Sequence, residues 1–148
     1  MVRRLLIRLI KVAAYVAFVV AAIYFTPKIL AKVLDTPYPL ATITSGSMWP
    51  VLKVNDLILM KGIAGSEASV GEIIVYRNPR GFTIHRLVER EEGKLITRGD
   101  ANDTDDQPIL ESDVIGRIVS IGTWPVRIPH FGIIARKLGP KIQKFSDM

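Results

Sequence analysis

Val12-Ala13-Ala14-Tyr15-Val16-Ala17-Phe18-Val19-Val20-Ala21-Ala22-Ile23-Tyr24-Phe25 is a run of fourteen residues without a charge. Widened to residues 9–27 it holds a single charge, Lys11, in nineteen residues. A helix rises about 1.5 Å per residue, so a segment of this length covers roughly 28 Å, close to a hydrocarbon core. The apolar residues run all the way round such a helix and form no stripe, the pattern of a segment surrounded by lipid. A chain of 148 residues also has little core in which to hide it. A cleavable leader is the competing reading. Against it, Thr26-Pro27-Lys28-Ile29-Leu30-Ala31-Lys32-Val33-Leu34 stays apolar and basic, with no clean small-x-small cleavage site. The expectation is therefore a retained anchor, extended past the interface by residues 29–34 and ended by Pro37 and Pro39. Arg3, Arg4, Arg8 and Lys11 precede it, which the positive-inside rule reads as a cytoplasmic N-terminus with the rest of the chain outside or lumenal, although Lys28 and Lys32 reduce the contrast.

Outward from the anchor the texture changes after Pro39. Short runs rich in Ile and Val are separated by Gly, Pro, Asn and Asp every eight to twelve residues, which reads as strands and turns. Expected strands are 40–44, 57–61, 72–76, 82–89, 94–98 and 114–122. Asn78-Pro79-Arg80-Gly81 and Glu91-Glu92-Gly93 supply turns between them. The sequence thus predicts a mainly β protein: a transmembrane helix followed by a compact antiparallel β domain. Its divisions are a basic segment and anchor over 1–36, a β-rich catalytic domain over 37–122, and a basic tail over 123–148. The tail mixes Trp, Phe and Ile with Arg127, Arg136, Lys137, Lys141 and Lys144, a composition suited either to anionic headgroups or to plain solvation.

The net charge of +6 gathers towards the two ends, while the middle carries the acidic run 100–106. That distribution fits a membrane partner and argues against nucleic acid, whose readers interleave basic and aromatic residues through the fold. The chain has no cysteine, so disulfides, zinc–cysteine sites and thiol nucleophiles are excluded. A nucleophile here is an oxygen or a lysine.

The densest chemical signal is Ser45-Gly46-Ser47-Met48-Trp49-Pro50, directly after a predicted strand. A serine beside glycine at a strand end can be presented to substrate, with backbone N–H groups to hold an oxyanion, although such turns are common in any fold. Serine is a poor nucleophile until a base takes its proton. Two histidines are available. His85 lies mid-strand on the face of Thr83 and Leu87, whereas His130, between Pro129 and Phe131, reads as structural. Lys53 and Lys61 are the other possible bases. An imidazole titrates near neutrality unaided, while a lysine must first be desolvated. The run 98–106 contains Asp100, Asp103, Asp105 and Asp106, four carboxylates that repel one another and so belong in an exposed loop unless a cation sits among them. One could orient His85. Asp100, Asn102, Thr104 and Glu111 also fall at calcium-loop positions, but Asp105 stands where that loop needs glycine and Pro108 interrupts it.

Taken together, Ser45-Gly46-Ser47-Met48-Trp49-Pro50, Gly71-Glu72-Ile73-Ile74-Val75-Tyr76, Ile84-His85-Arg86 and Gly99-Asp100-Ala101-Asn102 with Asp106 resemble, in order and spacing, the successive boxes of type I signal peptidases. Histidine in place of the bacterial lysine base is similar to the archaeal and endoplasmic-reticulum branch. The resemblance implies Ser47 as nucleophile, His85 as general base, Asp106 as the orienting acid with Asp100 in support, and Ser45 as an oxyanion donor beside the Ser47 N–H. It implies a β-rich fold in which the cleavage segment pairs as an added strand. It also implies, as substrates, preproteins with small residues before the cleavage site, met as they leave the secretion channel at the bilayer surface. No metal or organic cofactor is called for. Two other readings stay open: a serine–lysine peptidase on a similar fold, and a non-enzymatic anchored domain that binds a partner through its basic tail.

Overall fold

Residues Val2–Val33 form one helix, α1, of 32 residues, none of them buried. This arrangement comes from a computed structural model that describes residues 2–79 and 81–138. Pro27 lies inside α1, where it removes one backbone donor without ending the helix. What ends α1 is not Pro37 or Pro39. Asp35 takes a left-handed conformation (φ 49°), and the Thr36 N–H turns back to the Ala31 carbonyl at 3.1 Å, a Schellman-type stop four residues earlier than the second proline. The Leu34 carbonyl then accepts from the Gly62 N–H at 2.8 Å. A Cβ on Gly62 would lie 1.9 Å from the Asp35 carbonyl oxygen, so only glycine lets the end of α1 dock there.

Ten strands follow: β1 Leu40–Thr42, β2 Leu57–Lys61, β3 Ile73–Asn78, β4 Gly81–Glu91, β5 Lys94–Arg98, β6 Ile109–Leu110, β7 Val114–Ile118, β8 Ser120–Ile121, β9 Trp124–Pro125 and β10 Arg127–Ile128. The main sheet runs β1-β2-β7-β3-β4-β5-β6, with β10 also on β2, and every pairing is antiparallel. The strands at 57–61 and 94–98 have the expected bounds. The expected strand 114–122 divides instead at Val119 into β7 and β8, and Gly122 (φ 62°) then turns the chain into a β8–β9 hairpin that is followed by β10 on β2.

Central β3 is buried on both faces. Ile73 and Val75 pack in one cluster with Ala41, Met48, Ile58, Phe82 and Ile84, while Ile74 and Tyr76 join Leu87, Leu95 and Val114 in another. Two clusters on one sheet explain why a domain this small buries a histidine and a tyrosine beside aliphatic residues.

The stretch after residue 122 corrects an all-β reading of the region beyond the anchor. Phe131–Leu138 is a helix, α2. Arg127 reaches back to the buried Asp56 carboxylate at 2.7 Å, and the Gly132 N–H donates to the Asn55 carbonyl at 2.9 Å. These two contacts staple residues 127–132 to the β1–β2 connection. Arg80, Lys141 and Lys144 lie outside the described residues.

Candidate active site

The β1–β2 connection carries Ser45 and Ser47, β4 carries His85, and the loop after β5 carries Asp100 and Asp106. β4 and β5 are neighbours, so that loop arrives beside the imidazole, and the serine turn meets both from the end of β1. The Ser47 carbonyl accepts from the Ala101 N–H at 2.8 Å. A Cβ on Gly99 would lie 2.7 Å from the same oxygen, so the loop can close on the serine turn only with glycine at this position.

Ser47 Oγ lies 3.1 Å from His85 Nε2, and His85 Nδ1 lies 2.6 Å from Asp106 Oδ2. His85 is 6 % exposed. Burial pushes the Asp106 carboxyl up, but hydrogen bonds from His85 and Thr97, the charge attraction of His85 and a bond from Tyr76 outweigh it and hold the group below its ordinary value. An ionised carboxylate can only accept. Nδ1 therefore carries the ring proton, and Nε2 is left as acceptor for the Ser47 hydroxyl. Ser45 Oγ is 3.2 Å from Ser47 Oγ. With Ser47 donating to the imidazole, Ser45 is the donor of that pair. These residues open on a cleft of about 380 Å³ lined also by Gly46, Ala101 and Asn102.

Asp100 stands apart from this line. Arg86 Nε and Nη2 each donate to one of its oxygens at 2.7 Å, while Arg86 Nη1 donates to the Gly71 carbonyl at 2.7 Å. Asp106, expected as the orienting acid, is the aspartate that meets His85, while Asp100, expected in support, meets Arg86, which follows His85 on β4 and points to the other face. The partners that let these carboxylates share one loop are Arg86, Arg98, which meets Asp105 at 3.4 Å, and the Nδ1–H of His85. The calcium pattern is broken up: Asp100 binds Arg86 and Glu111 binds Arg90. Lys61 lines a separate concavity with Arg86 and Arg117, and neither it nor Lys53 lines the cleft at Ser47. His130 is exposed, at φ 62°, just before α2.

Three contributors carried no role in the sequence reading. Arg86 sat inside a quoted box. Tyr76 and Thr97 point at Asp106 from β3 and β5, and the signal for Thr97 was a polar residue at an inward position of an alternating strand, Leu95-Ile96-Thr97.

No family model matches the chain. Among individual proteins, it is similar to the signal peptidase complex catalytic subunit SEC11 of Metarhizium acridum, 35% identical over 120 residues that make up 70% of this chain and 69% of the relative. The sec11 subunit of Neurospora crassa is 36% identical over 115 residues, 71% of this chain and 66% of the relative. That of Pyrenophora tritici-repentis is 35% identical over 135 residues, 80% and 73%.

Proposed function

This chain belongs to the SEC11 branch of the type I signal peptidases, and from that premise we propose that it removes N-terminal signal peptides with Ser47 as nucleophile and His85 as general base. It is a single-pass membrane protein with α1 as its span. The observation that carries the assignment is the unbroken line from Ser47 Oγ through the imidazole to Asp106 Oδ2, at 3.1 and 2.6 Å.

On this reading Ser47 Oγ attacks the carbonyl that follows a small residue and gives its proton to Nε2. The charge that develops on His85 is balanced by Asp106. Ser45 Oγ and the Ser47 N–H face the oxyanion, the imidazolium returns its proton to the leaving amine, and water resolves the acyl-enzyme by the same route. Arg86 and Asp100 support the site by fixing the loop. The functional units follow: an anchor over 1–36, a catalytic region over 37–122, and a basic remainder over 123–148, in which Arg127 and Gly132 hold the β1–β2 connection at Asp56 and Asn55. The cationic N-terminus stays in the cytoplasm, so the cleft meets preproteins beyond the bilayer as they leave the secretion channel.

The test compares cleavage of a model preprotein in detergent by the wild type, Ser47→Ala and His85→Ala. Loss of cleavage in both variants is the expected result. Cleavage retained in His85→Ala would sink the imidazole as base and return Lys61 to consideration.

A further inference from the structure

We infer that Thr97 is a positioning residue for the cleavage reaction, its buried hydroxyl holding the Asp106 carboxylate in line with His85. The inference rests on the assignment of Ser47 and His85 made above. Asp106 closes a loop whose neighbours Asp103 and Asp105 turn to solvent. Nothing in such an acidic loop favours an inward carboxylate. Two links to one residue reverse this. Thr97 Oγ1 donates to Asp106 Oδ2 at 2.6 Å, and the Asp106 N–H donates to the Thr97 carbonyl at 2.8 Å. The loop is thereby fastened, by side chain and main chain, to the strand from which it departed.

The oxygen that Thr97 holds is the one that His85 uses. Oδ2 receives Nδ1–H from β4 at 2.6 Å and Thr97 O–H from β5 at 2.6 Å, with the Tyr76 hydroxyl of β3 further off at 3.4 Å. Burial, the largest cause, raises the Tyr76 phenol to about 12, so it stays protonated and able to donate. The carboxylate is thus clamped between two strands, and rotation away from the imidazole breaks a charge-assisted hydrogen bond and leaves the fully buried Thr97 hydroxyl without it. The Thr97 donor also stabilises the ionised carboxylate, so the proton shared at 2.6 Å stays with the ring. A purely architectural threonine is the competing explanation. β-Branching suits β5, and valine has nearly the same shape without the donor.

The experiment measures kcat and KM of the full chain in detergent for wild type, Thr97→Val, Thr97→Ser, His85→Ala and Asp106→Ala, with thermal midpoints for each. Thr97→Val should lower kcat roughly ten- to a hundredfold at nearly constant KM, as expected for loss of a hydrogen bond to a charged group that acts in the transition state. Thr97→Ser should recover most of the rate, and the far-downfield proton resonance of the His85–Asp106 bond should move or broaden in Thr97→Val. A Thr97→Val variant that cleaves like wild type while His85→Ala and Asp106→Ala are inactive would overturn the role of Thr97 alone. So would a loss that Thr97→Ser fails to restore and that tracks a fallen thermal midpoint. Cleavage by His85→Ala would instead remove the catalytic assignment beneath it.

Discussion

Asp100 and Asp106 stand six residues apart in one loop, and they answer to opposite faces of the same strand. Arg86 and His85 are consecutive on β4, so their side chains point away from each other, and each takes one of the two carboxylates. The pair formed by Asp100 has a guanidinium partner, which keeps its charge at any working pH. The two Asp100 oxygens meet a guanidinium whose pKa is raised, first by the hydrogen bonds it donates to Asp100, against the opposing effect of burial. The pair formed by Asp106 includes a ring able to gain and lose a proton, and it points at a hydroxyl. Residue type and loop are shared. The partner across the sheet separates scaffold from chemistry.

The largest effect expected from breaking this contrast is at Asp106. Asp106→Ala should lower kcat by roughly a thousandfold or more, measured on a preprotein in detergent, because the ring loses the group that fixes its tautomer and balances its charge. Gly99→Ala comes next. Its new Cβ would press on the Ser47 carbonyl, displace the serine turn and reduce cleavage roughly ten- to a hundredfold, with the rate constant falling more than substrate affinity. Asp100→Asn sharpens the comparison from the scaffold side: it should cost about 1–3 kcal/mol in a denaturant titration, since one charge-assisted pair is weakened, while kcat falls less than in Asp106→Ala.

The pH dependence of stability gives a further separation. Asp106 is held below its ordinary 3.8 when folded, so its contribution is fully present above 3.8 and is lost as pH falls through the lower folded value. Acid unfolding of the wild type should therefore steepen below 3.8, and the Asp106→Asn curve should be flatter in that window. An equal steepness in both would show that Asp106 is not the group being titrated. Asp103→Ala, exposed in the same loop, should change stability by no more than about 0.5 kcal/mol and leave cleavage intact.

Much of this was legible in the chain itself. The strands at 57–61 and 94–98 could be read to the residue, because each is a short apolar-rich run set off by turn residues. The end of α1 was misread because Pro37 and Pro39 are conspicuous, whereas a left-handed aspartate at 35 leaves no compositional mark. α2 was missed because eight residues of mixed basic and apolar character suit a solvated segment equally well until Asp56 is seen to hold the chain before it and Asn55 its first turn.

By itself the sequence determined that an uncharged run is long enough to cross a bilayer, that the chain has no thiol, and that its nucleophile and base come from a short set of serines, histidines and lysines. Each of these follows from residue type and local spacing. Only the tertiary structure decided which aspartate faces His85 and which residues hold it there. Thr97 and Asp106 are nine positions apart, Ser47 and His85 thirty-eight, and their meeting depends on the order of β3, β4 and β5 and on the way one loop folds back upon its own strand. Hydrogen bonds act over about 3 Å, and no local pattern encodes contact at that range between segments so far apart.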